Sequence, residues 1–214
     1  MEVTEYVAKH EPGSITLLTN WVDHVDARIS RFPLVVGDVT RRTDFEDDSF
    51  DAILTLSVLE HLNPIRPAFQ EMTRLVRRGG EMLHMFGPAW SCAYGHHLYA
   101  NVDDALLNFA LWDMPAHMHL LCSPTEIERY YAAQGYPEET GKTVLHWYYE
   151  TPLINREFYD EYVTIMADDS FQLDRMQLMY NELPKEHLSR LRERYPGRHD
   201  FSTYGGRYKL IVRK

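Results

Sequence analysis

The stretch FDAILTLSVLEHLNP, residues 50–64, decides the fold class. Residues 50–56 are an apolar run without strict alternation, which is typical of a parallel strand buried on both faces. Pro64 then stands where the first turn of a helix tolerates a missing N–H. Apolar side chains recur after it at spacings of three and four, at Ile65, Phe69, Met72, Leu75 and Val76. The stretch therefore predicts a strand followed by an amphipathic helix.

The same alternation of strands and helices extends outward from this stretch. Three further buried strands are predicted, at residues 15–19, 34–36 and 81–86. Helices are predicted at residues 2–10 and 23–30, and Gly79-Gly80 is expected to end the helix that follows Pro64. Parallel strands need crossover connections, so this order predicts an α/β fold with a Rossmann-like, mostly parallel sheet.

The second half of the chain carries weaker signals. Ser123 and Glu126 form a capping box for a helix through Ala133. Strands at residues 143–149 and 207–212 are expected to form an antiparallel edge pair. Helices are predicted at residues 156–166, 173–180 and 184–194. We expect one domain over residues 1–214, with a sheet-capping insertion at about 90–122 and a helical insertion at about 152–195.

Composition excludes several classes of protein. The chain has 22 Lys and Arg against 32 Asp and Glu, a formal charge of −10, which disfavours binding to nucleic acid. Its two cysteines, Cys92 and Cys122, show no metal-type spacing. No apolar run is long enough to span a membrane, and Glu2 and Glu5 stand where a secretory signal would be basic. We expect a cytoplasmic protein that does not contact a membrane.

Four linked motifs resemble those of a known family. They are Val36-Gly37-Asp38, the acidic stretch at residues 45–52, Ser57-Val58-Leu59-Glu60-His61-Leu62, and Leu75 to Gly80. In this order and spacing they are similar to class I methyltransferases of the methyltransferase-11 type. The resemblance implies S-adenosylmethionine as cofactor and methyl transfer to an oxygen or nitrogen of a small molecule.

The resemblance also implies roles for particular residues. Asp38 ends a strand and would accept a hydrogen bond from the adenine amino group, with Val39 and Ser57 close to the donor. Asn20 stands where the family has an acid that binds the ribose. His61 would act as a base, together with Glu60. The alternative for Asp38 is a turn-capping carboxylate, and for Glu60 and His61 a solvated helix start.

The chain departs from the family at its start. A strand and a glycine-rich loop normally precede the first helix, and here the helix at residues 2–10 already begins the sequence. We therefore expect the isolated chain to bind the donor poorly or not at all, because backbone N–H groups of that loop hold the ligand. The absent strand is the family's central one. Either its two neighbours pair directly, or another chain donates a strand in a homo-oligomer or heteromer, or the sequence is a truncated gene product.

Aromatic and histidine side chains follow the strand at residues 81–86. We predict that an acceptor contacts Trp90, Tyr94, His96, His97 and His117. The alternative is that these residues only pack. A metal site could also be built from four histidines, His96, His97, His117 and His119. Their spacing matches no metal signature, so no metal ligands are assigned.

Three functional hypotheses remain. The first is a small-molecule methyltransferase whose donor site is completed by an intact methyltransferase subunit or by a missing N-terminus. The second is a catalytically inactive binding or regulatory subunit that has kept the fold. The third is a metal-dependent hydrolase that uses the histidines.

Overall fold

The computed structural model describes residues 16–19, 33–102, 105–111 and 114–214. Its strands are β1 (Leu17–Thr19), β2 (Leu34–Val36), β3 (Phe50–Leu56), β4 (Val76–Phe86), β5 (Tyr99–Val102), β6 (Ala105–Asn108), β7 (Phe171–Tyr180) and β8 (Thr203–Val212). Its α-helices are α1 (Ile65–Leu75), α2 (Met118–Leu121), α3 (Pro124–Ala133), α4 (Glu138–Leu145), α5 (Tyr159–Met166) and α6 (Lys185–Arg194). The helices predicted at residues 2–10 and 23–30 lie outside the described residues.

The main sheet has four strands in the order β3-β4-β8-β7. Strands β3 and β4 are parallel, with Leu54 opposite Leu83, and α1 makes the crossover between them. Strand β8 runs antiparallel to both β4 and β7. The predicted α/β class, with parallel strands and an antiparallel edge pair, is confirmed.

The partner of β8 in that edge pair differs from the prediction. Residues 143–149, predicted as a strand, are helical: α4 ends at Leu145 and a π-helical turn continues over His146–Glu150. Val144 and Tyr148, four residues apart, are both fully buried, which is the spacing of a helix face. The prediction of a strand over residues 143–149 is therefore wrong.

Strand β7 occupies the place predicted for a helix at residues 173–180. Its side chains are mostly exposed, as expected for an edge strand, and it pairs along its length with β8. Helical spacing of Leu173, Met176 and Tyr180 favoured the wrong prediction. The backbone groups of β8 need partners, and this tertiary requirement overrides local propensity.

Helix α1 confirms the predicted apolar face. Ile65, Phe69, Met72 and Leu75 are all buried, in a core shared with β4, α5 and β8. The helix ends at Leu75, and Val76 already belongs to β4. The expectation that Gly79-Gly80 ends the helix is therefore wrong. Gly80 lies inside β4, where a Cβ would meet the carbonyl oxygen of Asp51 at 2.6 Å, so glycine permits the close approach of β3.

The structure describes β1 and β3, the two strands predicted to flank the missing central strand. β1 pairs with β2 in a separate parallel sheet, with Leu17 opposite Leu34. Within the described residues, no ladder joins β1 or β2 to β3, so direct pairing of β1 with β3 is not observed. Donation of a strand by another chain, and truncation of the gene product, stay predictions.

The predicted excursion after β4 folds onto the helices that follow it. A hairpin of β5 and β6 packs with α3 and α4 around Leu98, Ile127 and Tyr148. The capping box of α3 is confirmed, because Ser123 Oγ accepts from the Glu126 N–H and the Glu126 carboxylate accepts from the Ser123 N–H. In the part of the chain that the structure describes, no helix is long and apolar enough to cross a membrane.

Candidate functional site

The candidate site lies where the parallel strands β3 and β4 end side by side. Ser57, directly after β3, adopts a left-handed conformation with φ of 49°, and its N–H donates to the Met85 carbonyl at 2.8 Å. This bend leads into a 3₁₀ turn over Leu59–His61. Gly87 directly follows β4, and its N–H donates to Glu60 Oε1 at 3.3 Å. The chain thus brings Glu60 and His61 to the carboxyl edge of the sheet.

Asn155, from a distant loop, holds this turn in place. Its Nδ2 donates to the carbonyls of Leu59 at 2.6 Å and Leu62 at 3.0 Å. Its backbone N–H donates to the Glu60 carbonyl at 2.8 Å. Sequence reasoning missed Asn155, since a lone asparagine nearly a hundred positions downstream carries no local signal for such a role.

Glu60 is a buried acid with one free oxygen. Its side chain is 2% exposed, Oε1 accepts from Gly87, and Oε2 has no hydrogen-bond partner within the described part of the chain. Burial raises the pKa of Glu60 to about 7, since a carboxylate loses hydration there. The alternative of a solvated helix start is wrong for Glu60.

His61 is exposed and has a defined tautomer. Its Nδ1 lies 2.6 Å from the Leu153 carbonyl oxygen. Since a carbonyl oxygen only accepts, Nδ1 carries the proton and donates it. The lone pair of neutral His61 is consequently on Nε2, where it is available as a base or as a ligand.

His97 reaches the same place from the loop after β4. It is 7% exposed and adopts a left-handed conformation with φ of 50°. Its Nδ1 donates to the Gly95 carbonyl at 2.8 Å, and its Nε2 has no hydrogen-bond partner in residues 16–19, 33–102, 105–111 and 114–214. Burial lowers the pKa of His97 to about 4, which keeps the ring neutral. Gly95 is required for this loop, because a Cβ there would meet the Ala89 carbonyl oxygen at 2.2 Å.

Glu60, His61 and His97 form one cluster. One ligand atom from each lies within 4.8 Å of the other two, and the two imidazole rings are 5.3 Å apart between centroids. We call this group the Glu60–His61–His97 cluster. Sequence reasoning assigned the first two to catalysis and His97 to acceptor contact, and the structure brings them together.

Most of the other predicted acceptor contacts lie in the interior. Trp90 packs on His119, with ring centroids 4.5 Å apart, and the His96 ring lies 4.5 Å from Tyr148. His117 Nε2 donates to the Phe201 carbonyl oxygen at 2.9 Å. Tyr94 is half-buried and its ring lies 6.4 Å from His96. In this structure Trp90, His96 and His117 make packing contacts in the interior.

The predicted donor-binding residues are partly placed. Asp38 Oδ1 accepts from Thr40 N–H at 2.9 Å and from Thr40 Oγ1 at 2.7 Å, so the turn-capping role is present. Among the described residues, Asp38 Oδ2 is paired with Arg41 Nε, at 3.8 Å, which leaves it able to accept a further hydrogen bond. Val39 packs on the main core and the Ser57 side chain is exposed. Asn20 lies outside the described residues.

Comparison with known proteins gives one family match. Residues 8–84 match the family model described as a methyltransferase domain, over less than half of the chain. This match confirms the resemblance to class I methyltransferases, and S-adenosylmethionine is the cofactor of that family. No curated protein matches the sequence.

Solved structures of similar fold have low sequence identity. The YcgJ protein from Bacillus subtilis is 12% identical, with a TM-score of 0.43, covering 87% of this chain and 74% of that one. A SAM-dependent methyltransferase from Methanosarcina mazei is 16% identical, with a TM-score of 0.42, covering 85% and 68% respectively. One from Thermotoga maritima is 14% identical, with a TM-score of 0.42, covering 88% and 68%. We draw no conclusion about function from these likenesses.

Proposed function

We propose that this chain transfers a methyl group from S-adenosylmethionine to an oxygen or nitrogen of a small molecule. The observation that carries the proposal is the position of His61 at the carboxyl edge of β3 and β4, inside the segment that matches the methyltransferase domain. Open α/β sheets bind their ligands at this edge. The fixed tautomer of His61 leaves Nε2 to take a proton from the acceptor.

The chemistry is a displacement at the methyl carbon. The cofactor supplies an electrophilic methyl group on a sulfonium. The acceptor oxygen or nitrogen would receive that methyl group as its bond to sulfur breaks, and His61 Nε2 would take the proton that the acceptor loses. Leu153 holds the ring through Nδ1, and the hydrogen bond from Gly87 orients Glu60 beside it. Positioning of the reactants supplies most of the rate.

The residues present fit the donor in part. Asp38 Oδ2 is able to accept from the adenine amino group, and Ser57 lies exposed at the end of β3. We propose that residues 1–214 act as one domain and that an intact methyltransferase subunit or a further N-terminal segment completes the donor site. A catalytically inactive binding subunit is the alternative.

Donor binding and methyl transfer test this proposal directly. The chain is titrated with S-adenosylmethionine and S-adenosylhomocysteine by calorimetry, and methyl transfer from labelled donor is followed with a panel of small hydroxyl and amine compounds. With the completing subunit or segment present, we expect one donor per chain and a loss of about 100-fold in turnover in His61→Ala. His146→Ala, an exposed histidine elsewhere, is the control and should leave turnover unchanged. Absence of donor binding both in the chain alone and with every completing subunit or segment would favour the inactive subunit.

A further inference from the structure

Each residue of the Glu60–His61–His97 cluster has one atom with a lone pair that can bind a cation. Glu60 Oε2 and His97 Nε2 are buried, and neither has a hydrogen-bond partner among the residues that the structure describes. His61 Nε2 carries the ring's lone pair, since Nδ1 donates to Leu153. Leaving a buried acceptor unsatisfied costs about 1–3 kcal/mol per group. A single cation between the three residues would satisfy all of them.

The hydrogen bonds on the far side of each imidazole suit metal ligands. His61 Nδ1 donates to the Leu153 carbonyl and His97 Nδ1 donates to the Gly95 carbonyl. Histidines that bind metals commonly donate their other ring N–H to a carbonyl or carboxylate, which fixes the tautomer and the ring orientation. Each ring therefore has Nε2 as the nitrogen able to bind an ion, and one nitrogen of each ring lies within 4.8 Å of the other and of a Glu60 oxygen.

We propose that the Glu60–His61–His97 cluster binds one divalent transition-metal ion of the zinc type. Two imidazole nitrogens and one carboxylate oxygen are ligands that Zn²⁺, Co²⁺ and Ni²⁺ accept, whereas Mg²⁺ and Ca²⁺ prefer oxygen only. Three protein ligands leave at least one coordination position for water or a substrate atom. This set differs from the four histidines considered from the sequence and shares only His97 with them.

The three ligand atoms must move closer together when an ion binds. The three ligand atoms lie within 4.8 Å of one another, and ligands of one tetrahedral Zn²⁺ are about 3.4 Å apart for bonds of about 2.1 Å. His61 is exposed, so a change in its side-chain torsion meets little resistance. Glu60 and His97 are held by Gly87 and Gly95 and define the fixed part of the site.

This site goes beyond the proposed methyl transfer and does not depend on it. If the chain is a methyltransferase, the ion would bind the acceptor's oxygen and lower the pKa of its hydroxyl. His61 Nε2 has one lone pair, so it is a ligand in the metal-bound chain and the base only in the metal-free chain. Metal binding itself needs neither the donor nor the acceptor.

Metal titration of the full chain tests the proposal without an activity assay. Chain stripped with a chelator is titrated with Zn²⁺ by calorimetry and with Co²⁺ by visible absorption. We expect one ion per chain with a Kd below about 10 μM, Co²⁺ bands of a site with nitrogen ligands, and displacement by Zn²⁺ but not by Mg²⁺ at a large excess.

Variants of the cluster residues test where the ion binds. His61→Ala and Glu60→Gln should each weaken binding at least 100-fold, and because His61 is exposed its variant should stay folded by circular dichroism. His146→Ala removes an exposed histidine that lies 3.1 Å from Glu150 and should bind like the parent chain. Absence of Zn²⁺ binding, or equal binding in the parent chain and in folded His61→Ala, would overturn the proposal. Since no donor is present, this result is separate from failure of methyl transfer.

Discussion

The imidazole rings of His61 and His97 meet edge to face, with their centroids 5.3 Å apart. The first ring follows β3 and the second belongs to the loop after β4, so their meeting depends on the parallel pairing of these strands. Each ring donates Nδ1–H to a backbone carbonyl, and Glu60 lies beside both. The pair therefore forms the centre of both proposals made for this chain.

Asp38→Asn should separate the turn-capping role of Asp38 from donor binding. The amide oxygen can still accept from Thr40, but the amide nitrogen that replaces Oδ2 cannot accept from adenine. We expect a Kd for S-adenosylhomocysteine about tenfold higher, which corresponds to about 1.4 kcal/mol, with little change in stability. Calorimetric titration and urea unfolding measure the two quantities. An unchanged Kd would show that Asp38 only caps its turn.

Asn155→Ala should loosen the turn that carries Glu60 and His61. The substitution removes four side-chain hydrogen bonds: two that Nδ2 donates to the carbonyls of Leu59 and Leu62, and two that Oδ1 accepts from Glu157 N–H and the Tyr162 hydroxyl. We expect a loss of about 2–3 kcal/mol in the free energy of unfolding and about 10- to 100-fold weaker Zn²⁺ binding. Urea unfolding and calorimetry give both values. Stability and metal affinity equal to those of the parent chain would contradict this role of Asn155.

Arg74 should be far more important for stability than the nearby Arg42. The Arg74 guanidinium is 13% exposed and bonds Glu71 at 2.7 Å, Asp47 at 2.6 Å and the Phe45 carbonyl at 2.8 Å. Its hydrogen bonds lower the pKa of Glu71 to about 2. Arg74→Met should cost about 3 kcal/mol or more, since it leaves a buried carboxylate unpaired.

Arg42→Met is the matched control for that variant. Arg42 also contacts Asp47, at 3.3 Å, but its side chain is 71% exposed. An exposed ion pair contributes about 0–1 kcal/mol. Urea unfolding at pH 7 compares the two variants, and equal small losses would show that the Arg74 network contributes no more than a surface pair.

Burial of neutral His84 should make the free energy of unfolding fall at acidic pH. Burial lowers the pKa of His84 to about 3, from an ordinary value of 6.5. Its neighbours are Thr55, whose hydroxyl is 2.8 Å from Nδ1, the Phe69 ring and Tyr208 across the sheet. As pH falls below about 6.5, the unfolded chain takes up this proton first, so the folded state loses about 1.4 kcal/mol per pH unit.

His84→Gln tests that slope. Glutamine can keep a hydrogen bond to Thr55 but does not titrate. Urea unfolding at pH 7.5 and pH 5.5 should show a smaller loss of stability in the variant than in the parent chain. Other buried histidines, such as His119, continue to contribute in both proteins. Identical losses would mean that His84 is protonated in the folded chain as easily as in the unfolded one.

The local elements were predicted well wherever one pattern dominated. Residues 34–36 and 50–56 are strands as predicted, the buried face of α1 was predicted from spacing, and Ser123 with Glu126 caps α3. These features depend on side chains and backbone groups within one turn or one strand. The motif that contains Glu60 and His61 also indicated the family from the sequence alone.

The sequence by itself predicted the class of fold, indicated the methyltransferase family and singled out Glu60 and His61, next to β3, as candidate site residues. Tertiary structure decided that residues 171–180 form a strand, because β8 offers backbone groups that only a neighbouring strand satisfies. It also decided which of the histidines joins Glu60 and His61. His97 does so, while His96 and His117 turn inward to Tyr148 and Phe201. That choice depends on how loops from separate strands meet at one edge, which spacing along the chain does not encode.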